Sequence, residues 1–128
     1  MSIRFEPLPG LRVIVTQVVY DPSLSAPVDR PHAFVYFITI ANDSAEPVKI
    51  FGRKWIVRDV EDRVEVFEGH GVVGQYPRIE PGDEFKYHSY HVVSRESRAT
   101  RAFFGTTDNG HTVCVQVPEF LMNPPADV

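Results

Sequence analysis

Cysteine is almost absent from the sequence, since Cys114 is the only one in 128 residues. A single cysteine cannot form a disulfide within the chain, and this composition fits a reducing compartment. The sequence also lacks any apolar run near the ~20 residues needed to cross a bilayer, and its first residues do not resemble a signal peptide. We therefore expect a cytoplasmic protein without a membrane partner.

A surplus of positive charge is missing as well. Lysine and arginine together number 13 against 17 aspartate and glutamate residues, which gives a formal net charge of −4. General nucleic-acid binders normally show a basic surplus, so the composition argues against nucleic acid as a partner. A local basic patch is still compatible with this balance, because most of the cations are arginine.

Known catalytic and metal-binding motifs are absent too. The chain has no G-x-S-x-G, H-E-x-x-H, P-loop or C-x-x-C sequence. No histidine can be paired with Cys114, which is expected to be a structural thiol. His88 and His91 are three residues apart in a predicted strand, so they point to opposite faces and cannot share one metal ion. The sequence predicts a protein that is not an enzyme and that has no cofactor and no metal site.

Helical patterning is also absent, and no segment shows a convincing apolar stripe of period 3.6. In addition, the eleven prolines would interrupt most helices. Apolar residues instead alternate in short segments rich in β-branched and aromatic residues. Turn signals separate these segments, among them Asp-Asn-Gly at residues 108–110. The pattern predicts an all-β fold, an antiparallel β-sandwich of immunoglobulin or fibronectin type III type with about seven strands. We expect one domain with its core at residues 11–121 and a flexible tail at 122–128.

The alternation also predicts which side chains form the core. Trp55, the only tryptophan, alternates with Val57 and is expected to pack between the two sheets. The residues assigned to the apolar faces of the first two long strands are Leu11, Val13, Val15, Val19, Phe34, Tyr36, Ile38 and Ile40.

The segment GHGVVG at residues 69–74 has three glycines at the spacing of a dinucleotide-binding fingerprint. Such a fingerprint needs a helix directly after the glycines, with its N-terminus on the pyrophosphate. Pro77 and Pro81 stand where that helix would run, so the dinucleotide interpretation fails. Two interpretations remain. The glycines supply positive φ angles for a bulge or bend between strands, or they form a nest of backbone N–H groups that holds an anion.

Two cations are candidates to act with this loop. Arg53 lies two residues before Trp55, so in a strand both point to the same face, from which Arg53 is able to approach the glycines. Arg53 and Lys54 beside a nest of backbone N–H groups would suit a phosphate or a carboxylate. An exposed pair on a solvated edge is the alternative. The candidate binding residues are Gly69, His70, Gly71, Gly74, Arg53 and Lys54. We also expect the loop to pack on the sandwich through at least one of its two valines, because they are too apolar for a mobile lid.

The densest basic run contains Arg95, Arg98 and Arg101, and the sequence pattern places it in a hairpin connection. Charge of this kind is usually solvated. The other interpretation is that the run binds an acidic partner.

Four segments follow one another along the chain: GRKW at 52–55, GHGVVGQYP at 69–77, EPGDEFKYHS at 80–89 and VPEFL at 117–121. This series resembles the ApaG domain family, in which G-R-H-W, G-x-G-V-V-G-x-x-P, P-G-x-x-F-x-Y-x-S and I-P-x-F-x-L occur in that order. The chain departs from the pattern at Lys54, which replaces the histidine of G-R-H-W. Further along, the family pattern has glycine at the positions of Tyr90, Ser97 and Arg101, and methionine at Ala99.

The resemblance implies a fibronectin type III-like β-sandwich without established catalytic residues. It also implies an adaptor role, as in eukaryotic proteins that carry the domain, and an association of bacterial members with cobalt and magnesium efflux. We therefore predict a non-enzymatic module that binds a protein partner. The alternative is a binder of a small anion or phosphorylated metabolite, linked only indirectly to cobalt and magnesium homeostasis.

Overall fold

The computed structural model describes residues 4–126, and over that range the chain forms nine β-strands and no helix. Accordingly, the described residues include no helix that is long and apolar enough to cross a membrane. The strands are β1 (Glu6–Pro7), β2 (Leu11–Tyr20), β3 (His32–Asn42), β4 (Val48–Asp59), β5 (Val64–His70), β6 (Arg78–Ile79), β7 (Glu84–Val93), β8 (Ser97–Thr107) and β9 (Thr112–Met122).

The strands build two facing sheets. The larger sheet has the order β1-β9-β8-β4-β5, with β6 also paired to β4, and the smaller sheet has the order β2-β3-β7. All pairings are antiparallel except that of β1 with β9. This arrangement is a fibronectin type III-like β-sandwich, so the predicted fold class is confirmed. The seven strands longer than two residues correspond to the seven expected from the alternation.

The core lies between the sheets and follows the alternation closely in β3. Phe34, Tyr36, Ile38 and Ile40 are all buried, as predicted. The prediction is wrong for Val19 in β2, because a register shift between Val15 and Gln17 reverses the phase of the strand. After the bulge, Val18 and Tyr20 pack against the core instead.

Of two predicted boundaries near the end of the chain, one is confirmed and one differs. The turn at residues 108–110 does join β8 to β9, as predicted. The predicted tail begins too early, because Met122 is fully buried as the last residue of β9. Residues 123–126 follow the strand, and Asp127 and Val128, the end of the predicted tail, lie outside the described residues.

The sandwich is open on one side. β5 pairs only with β4, and β7 pairs only with β3, so each is an edge strand of its sheet within the described chain. The two edges face each other, and the ring centroids of Phe67 in β5 and His91 in β7 are 5.2 Å apart. The candidate site lies along this open side.

Candidate functional site

The glycine loop forms a tight turn directly after β5. Val72 and Gln75 exchange backbone hydrogen bonds of 2.7 and 2.9 Å, and the two residues between them, Val73 and Gly74, both have positive φ angles. This is the backbone of a two-residue hairpin turn. Val72 is 0 % exposed and fixes the turn on the core, which confirms the expectation that a valine holds the loop in place.

Arg53 is tied to this loop through backbone carbonyl groups. Its Nη1 donates to the carbonyl oxygens of His70 and Gly71 at 2.8 and 3.0 Å. Gly69 lies opposite Arg53 in the β4–β5 ladder, and a Cβ atom there would be only 2.7 Å from the guanidinium carbon. Gly69 therefore leaves the space in which the Arg53 side chain crosses β5.

The other candidate residues divide between two faces of the sheet. Lys54 points away from Arg53 and lies 3.8 Å from the Glu68 carboxylate. Gly74 is exposed in the turn. The N–H groups of Gly71, Val72 and Gln75 already donate to backbone carbonyls, so the geometry favours the interpretation of the loop as a turn between strands. What the loop offers the site is a fixed Arg53.

Alanine substitutions at the two positive-φ glycines of this turn are expected to lower the stability by different amounts. Gly71 and Gly74 have φ angles of 67° and 75°, so alanine at either position costs about 1–2 kcal/mol of backbone strain. A Cβ at Gly71 would also collide with the carbonyl oxygen of Gln75, whereas a Cβ at Gly74 meets nothing. We expect Gly71→Ala to lower the free energy of unfolding by about 3 kcal/mol and Gly74→Ala by about 1 kcal/mol, measured by urea denaturation. Equal losses would contradict the turn geometry.

Arg101 is the residue that the sequence analysis misplaced. It lies within β8, not in a hairpin connection, and it is only 4 % exposed. Ala99, Arg101 and Phe103 share the buried face of the strand. The alternation of ATRAFF contained this signal, but a cation in a core is rare enough that a solvated position is the usual interpretation. Of the predicted basic run, only Arg95 lies in the turn between β7 and β8.

Aromatic rings surround the Arg101 guanidinium. Its central carbon lies 4.5 Å from the centroid of the Trp55 ring and 4.6 Å from that of Phe103. Nη1 donates a hydrogen bond to the hydroxyl oxygen of Tyr87. Nε is buried and has no hydrogen-bond partner. Cation–π contacts thus replace the carboxylate that normally accompanies a buried arginine.

No carboxylate neutralises the buried Arg101 or the half-buried Arg53. Among residues 4–126, neither Arg101 nor Arg53 comes within 4.0 Å of a carboxylate oxygen, whereas all eight other arginines do. Burial lowers the pKa of Arg101, and the nearby charge of Arg53 acts in the same direction. The interior of the sandwich therefore carries positive charge without a counter-ion.

A pocket of about 490 Å³ opens onto these arginines. The bottom of the pocket is formed by buried residues from the centre of the sandwich, Arg101, Trp55 and Tyr36. The two edge strands form the sides of the pocket. The lining of the edges and the loops consists of Phe67, Glu68, Tyr87, Ser89, Tyr90, His91, Val92, Ser25, Pro27, Arg30, Arg53 and Val73. Glu68 brings the one carboxylate among the lining residues. Its side chain is largely exposed, and its charge is shared with Lys54.

Two titratable groups in the pocket are shifted by burial. Burial raises the pKa of the Tyr87 hydroxyl, which stays protonated and accepts from Arg101. Burial lowers the pKa of His91 to about 4, with a smaller contribution from the positive charge of Arg30. His91 is thus a neutral imidazole near pH 7, stacked 6.0 Å from the Trp55 ring.

His91 makes the stability of the fold depend on pH. In the unfolded chain a histidine has a pKa of about 6.5. Between pH 6.5 and pH 4, His91 is therefore protonated in the unfolded state but neutral in the folded state. Stability therefore falls as the pH drops through this window, by about 2 kcal/mol at pH 5. We expect His91→Phe to lose this part of the pH dependence in urea titrations at pH 7 and pH 5. His88→Phe, on the exposed face of the same strand, is the control and should keep it. An unchanged pH dependence in His91→Phe would contradict the assignment.

The chemistry of this pocket suits an oxyanion. Guanidinium groups hold phosphate and carboxylate oxygens through charge-assisted hydrogen bonds, which strengthen where water is excluded. The described residues contain no group of three His, Cys, Asp or Glu side chains arranged to hold a metal ion. Within this pocket the arginine side chains are the groups able to bind negative charge.

Comparison with known proteins places this chain in a family. The sequence model of the ApaG domain matches residues 22–105. Protein ApaG of Bdellovibrio bacteriovorus is 39 % identical over 114 residues, covering 88 % of this chain and 89 % of that protein. Protein ApaG of Ralstonia nicotianae is 34 % identical over 107 residues, covering 83 % and 86 %. A crystal structure described as an ApaA protein from Bordetella pertussis superimposes with a TM-score of 0.78 at 30 % identity, covering 96 % of this chain and 99 % of that one. The chain therefore belongs to the ApaG domain family.

Proposed function

We propose that this protein is a binding module that holds an oxyanion, a phosphate or a carboxylate, in the pocket above Arg101. The observation that carries the proposal is a cation that is 4 % exposed and has no acidic partner. Taking an ion out of water costs several kcal/mol, and a fold normally offsets this cost with an opposite charge. In this pocket a bound anion would supply it.

The pocket holds a second positive charge, that of Arg53, close to the charge of Arg101. Arg53 lines the same pocket, and its Nη1 is held by two loop carbonyls, so the guanidinium is fixed before any ligand arrives. A fixed donor loses little conformational entropy on binding. This role connects the glycine loop, predicted from the sequence as a candidate binding element, to the anion through Arg53.

A partner protein is the second candidate function. β5 and β7 are edge strands on either side of the pocket, and an unpaired edge is able to accept an extended segment as an additional strand. An acidic side chain of such a segment would then be the anion that meets Arg101.

The test is a titration followed through the fluorescence of Trp55, whose ring contacts the Arg101 guanidinium. Sodium phosphate and sodium acetate are added to the wild-type protein, with sodium chloride at equal ionic strength as the reference. We expect a saturable response to phosphate or acetate with a dissociation constant of roughly 1 mM or tighter, corresponding to about 4 kcal/mol or more. Arg101→Met should abolish the response, and Arg53→Met should weaken it about tenfold.

The control for charge is Arg98→Met. Arg98 belongs to the same strand, but its side chain is 60 % exposed and pairs with Glu119 on the outer face. It should bind like the wild type. The absence of any saturable response beyond that of chloride, or an equal loss in Arg98→Met, would refute anion binding in this pocket.

A further inference from the structure

The pocket is much larger than a bare oxyanion requires. A phosphate ion has five heavy atoms and fills only a few times the ~30 Å³ that one liquid water molecule occupies. The pocket has about 490 Å³, within the range of sites that enclose drug-sized ligands. A bare oxyanion would therefore leave most of the pocket free.

The mouth of the pocket carries apolar and aromatic side chains beside the charged groups of Arg30 and Glu68. Arg101 lies deep, whereas Val73 lines the pocket with a half-exposed side chain. Phe67 and His91 contribute half-buried rings from the two facing edges, in an edge-to-face arrangement with an interplanar angle of 75°. Since burial keeps His91 neutral near pH 7, this part of the mouth is aromatic and uncharged.

Val73 is held at the mouth in an unusual backbone conformation. Its φ angle is 47°, in the left-handed region that β-branched residues rarely adopt. Asparagine or glycine would suit this turn position better, and strain of this kind costs about 1–3 kcal/mol. The side chain is 52 % exposed, and it lines the pocket. Its exposed part is available for contact with an apolar group in the pocket.

We propose that the ligand of this pocket is an aromatic acid, a planar ring bearing one phosphate or carboxylate group. The acidic group binds Arg101 and Arg53, and the ring lies against Phe67, His91 and Val73 at the mouth. This assignment rests on the proposed function. It takes the oxyanion site as given and adds the chemical nature of the rest of the ligand, the part that carries the anionic group.

The experiment compares three probes in the same titration: phenyl phosphate, butyl phosphate and inorganic phosphate. We expect phenyl phosphate to bind at least about tenfold more tightly than both others, because aromatic stacking and apolar burial add to the charged contact. Phe67→Ala should remove most of this advantage and leave the affinity for inorganic phosphate unchanged. Val73→Ala is a second variant with an effect in the same direction, and retained phosphate binding in both variants would show that the pocket is intact.

Each other outcome overturns a defined part of the inference. Equal, saturable binding of phenyl phosphate and inorganic phosphate would overturn the aromatic ligand and leave oxyanion binding in place. Equal binding of phenyl and butyl phosphate, both tighter than inorganic phosphate, would show an apolar but not an aromatic preference and would also overturn it. A preference for phenyl phosphate that survives in both variants would place the ring elsewhere. No binding of any probe would refute the proposed function itself, and the inference with it.

Discussion

Replacing Arg101 with methionine is expected to raise the free energy of unfolding by about 1–3 kcal/mol in the absence of ligand, while abolishing anion binding. The two effects have one cause. The guanidinium is 4 % exposed, lacks an acidic partner, and leaves Nε without a hydrogen bond. An unbranched methionine side chain would fill much of the same space among the rings without this desolvation cost.

The aromatic contacts of Arg101 oppose this gain but do not cancel it. Cation–π contacts contribute about 0.5–2 kcal/mol, and the rings of Trp55 and Phe103 share one guanidinium. Against this stand the desolvation of the whole charge and the loss of one hydrogen bond at Nε, which alone costs about 1–3 kcal/mol. Methionine also keeps a favourable contact with the aromatic rings through its sulfur atom.

The measurement is urea denaturation in buffers without phosphate or sulfate, because a bound anion would stabilise the wild type and mask the difference. At a ligand concentration of 100 times the dissociation constant this stabilisation reaches about 2.7 kcal/mol. Arg98→Met is the matched control on the exposed face of β8 and should change the stability by no more than about 0.5 kcal/mol. A strong destabilisation in Arg101→Met would show that Arg101 is structural, and the case for a ligand would lose its main support.

Trp55→Ala is expected to lower the free energy of unfolding by about 3–5 kcal/mol. The side chain is 5 % exposed and packs against Tyr36 and Phe120, with ring centroids 4.9 and 5.6 Å away. Small domains have a total stability of about 5–15 kcal/mol, so the loss removes a large part of it. The cavity would also open the Arg101 guanidinium to water from the side that Trp55 now covers.

Circular dichroism must follow this unfolding, because the substitution removes the only tryptophan. Ile56→Ala is the neighbouring control, since its side chain lies on the exposed outer face of β4 and its truncation should cost about 1 kcal/mol or less. If Trp55→Ala were as stable as the wild type, the tryptophan would belong to a surface and not to the core between the sheets.

Local sequence patterns determined the architecture. A period of two, frequent prolines and turn residues are properties of adjacent residues, and they sufficed for the sandwich, for the buried face of β3 and for the turn at residues 108–110. They also sufficed to reject a dinucleotide site in the glycine loop, because Pro77 and Pro81 exclude a helix wherever the chain folds. The placement of Trp55 in the core followed from the same alternation.

Only the tertiary structure decided what the arginines do. Arg101 has the parity of buried Ala99 and Phe103, but parity cannot say whether the opposite sheet will supply rings, a carboxylate or water. That depends on Trp55 and Tyr87, which belong to other strands and are brought to Arg101 by sheet packing. A bulge likewise reverses the phase of a strand without a clear mark in its sequence, as the register shift in β2 shows. The pocket joins two sheets and a loop from distant parts of the chain, so its unpaired charge is a property of the packed sandwich and of no single segment.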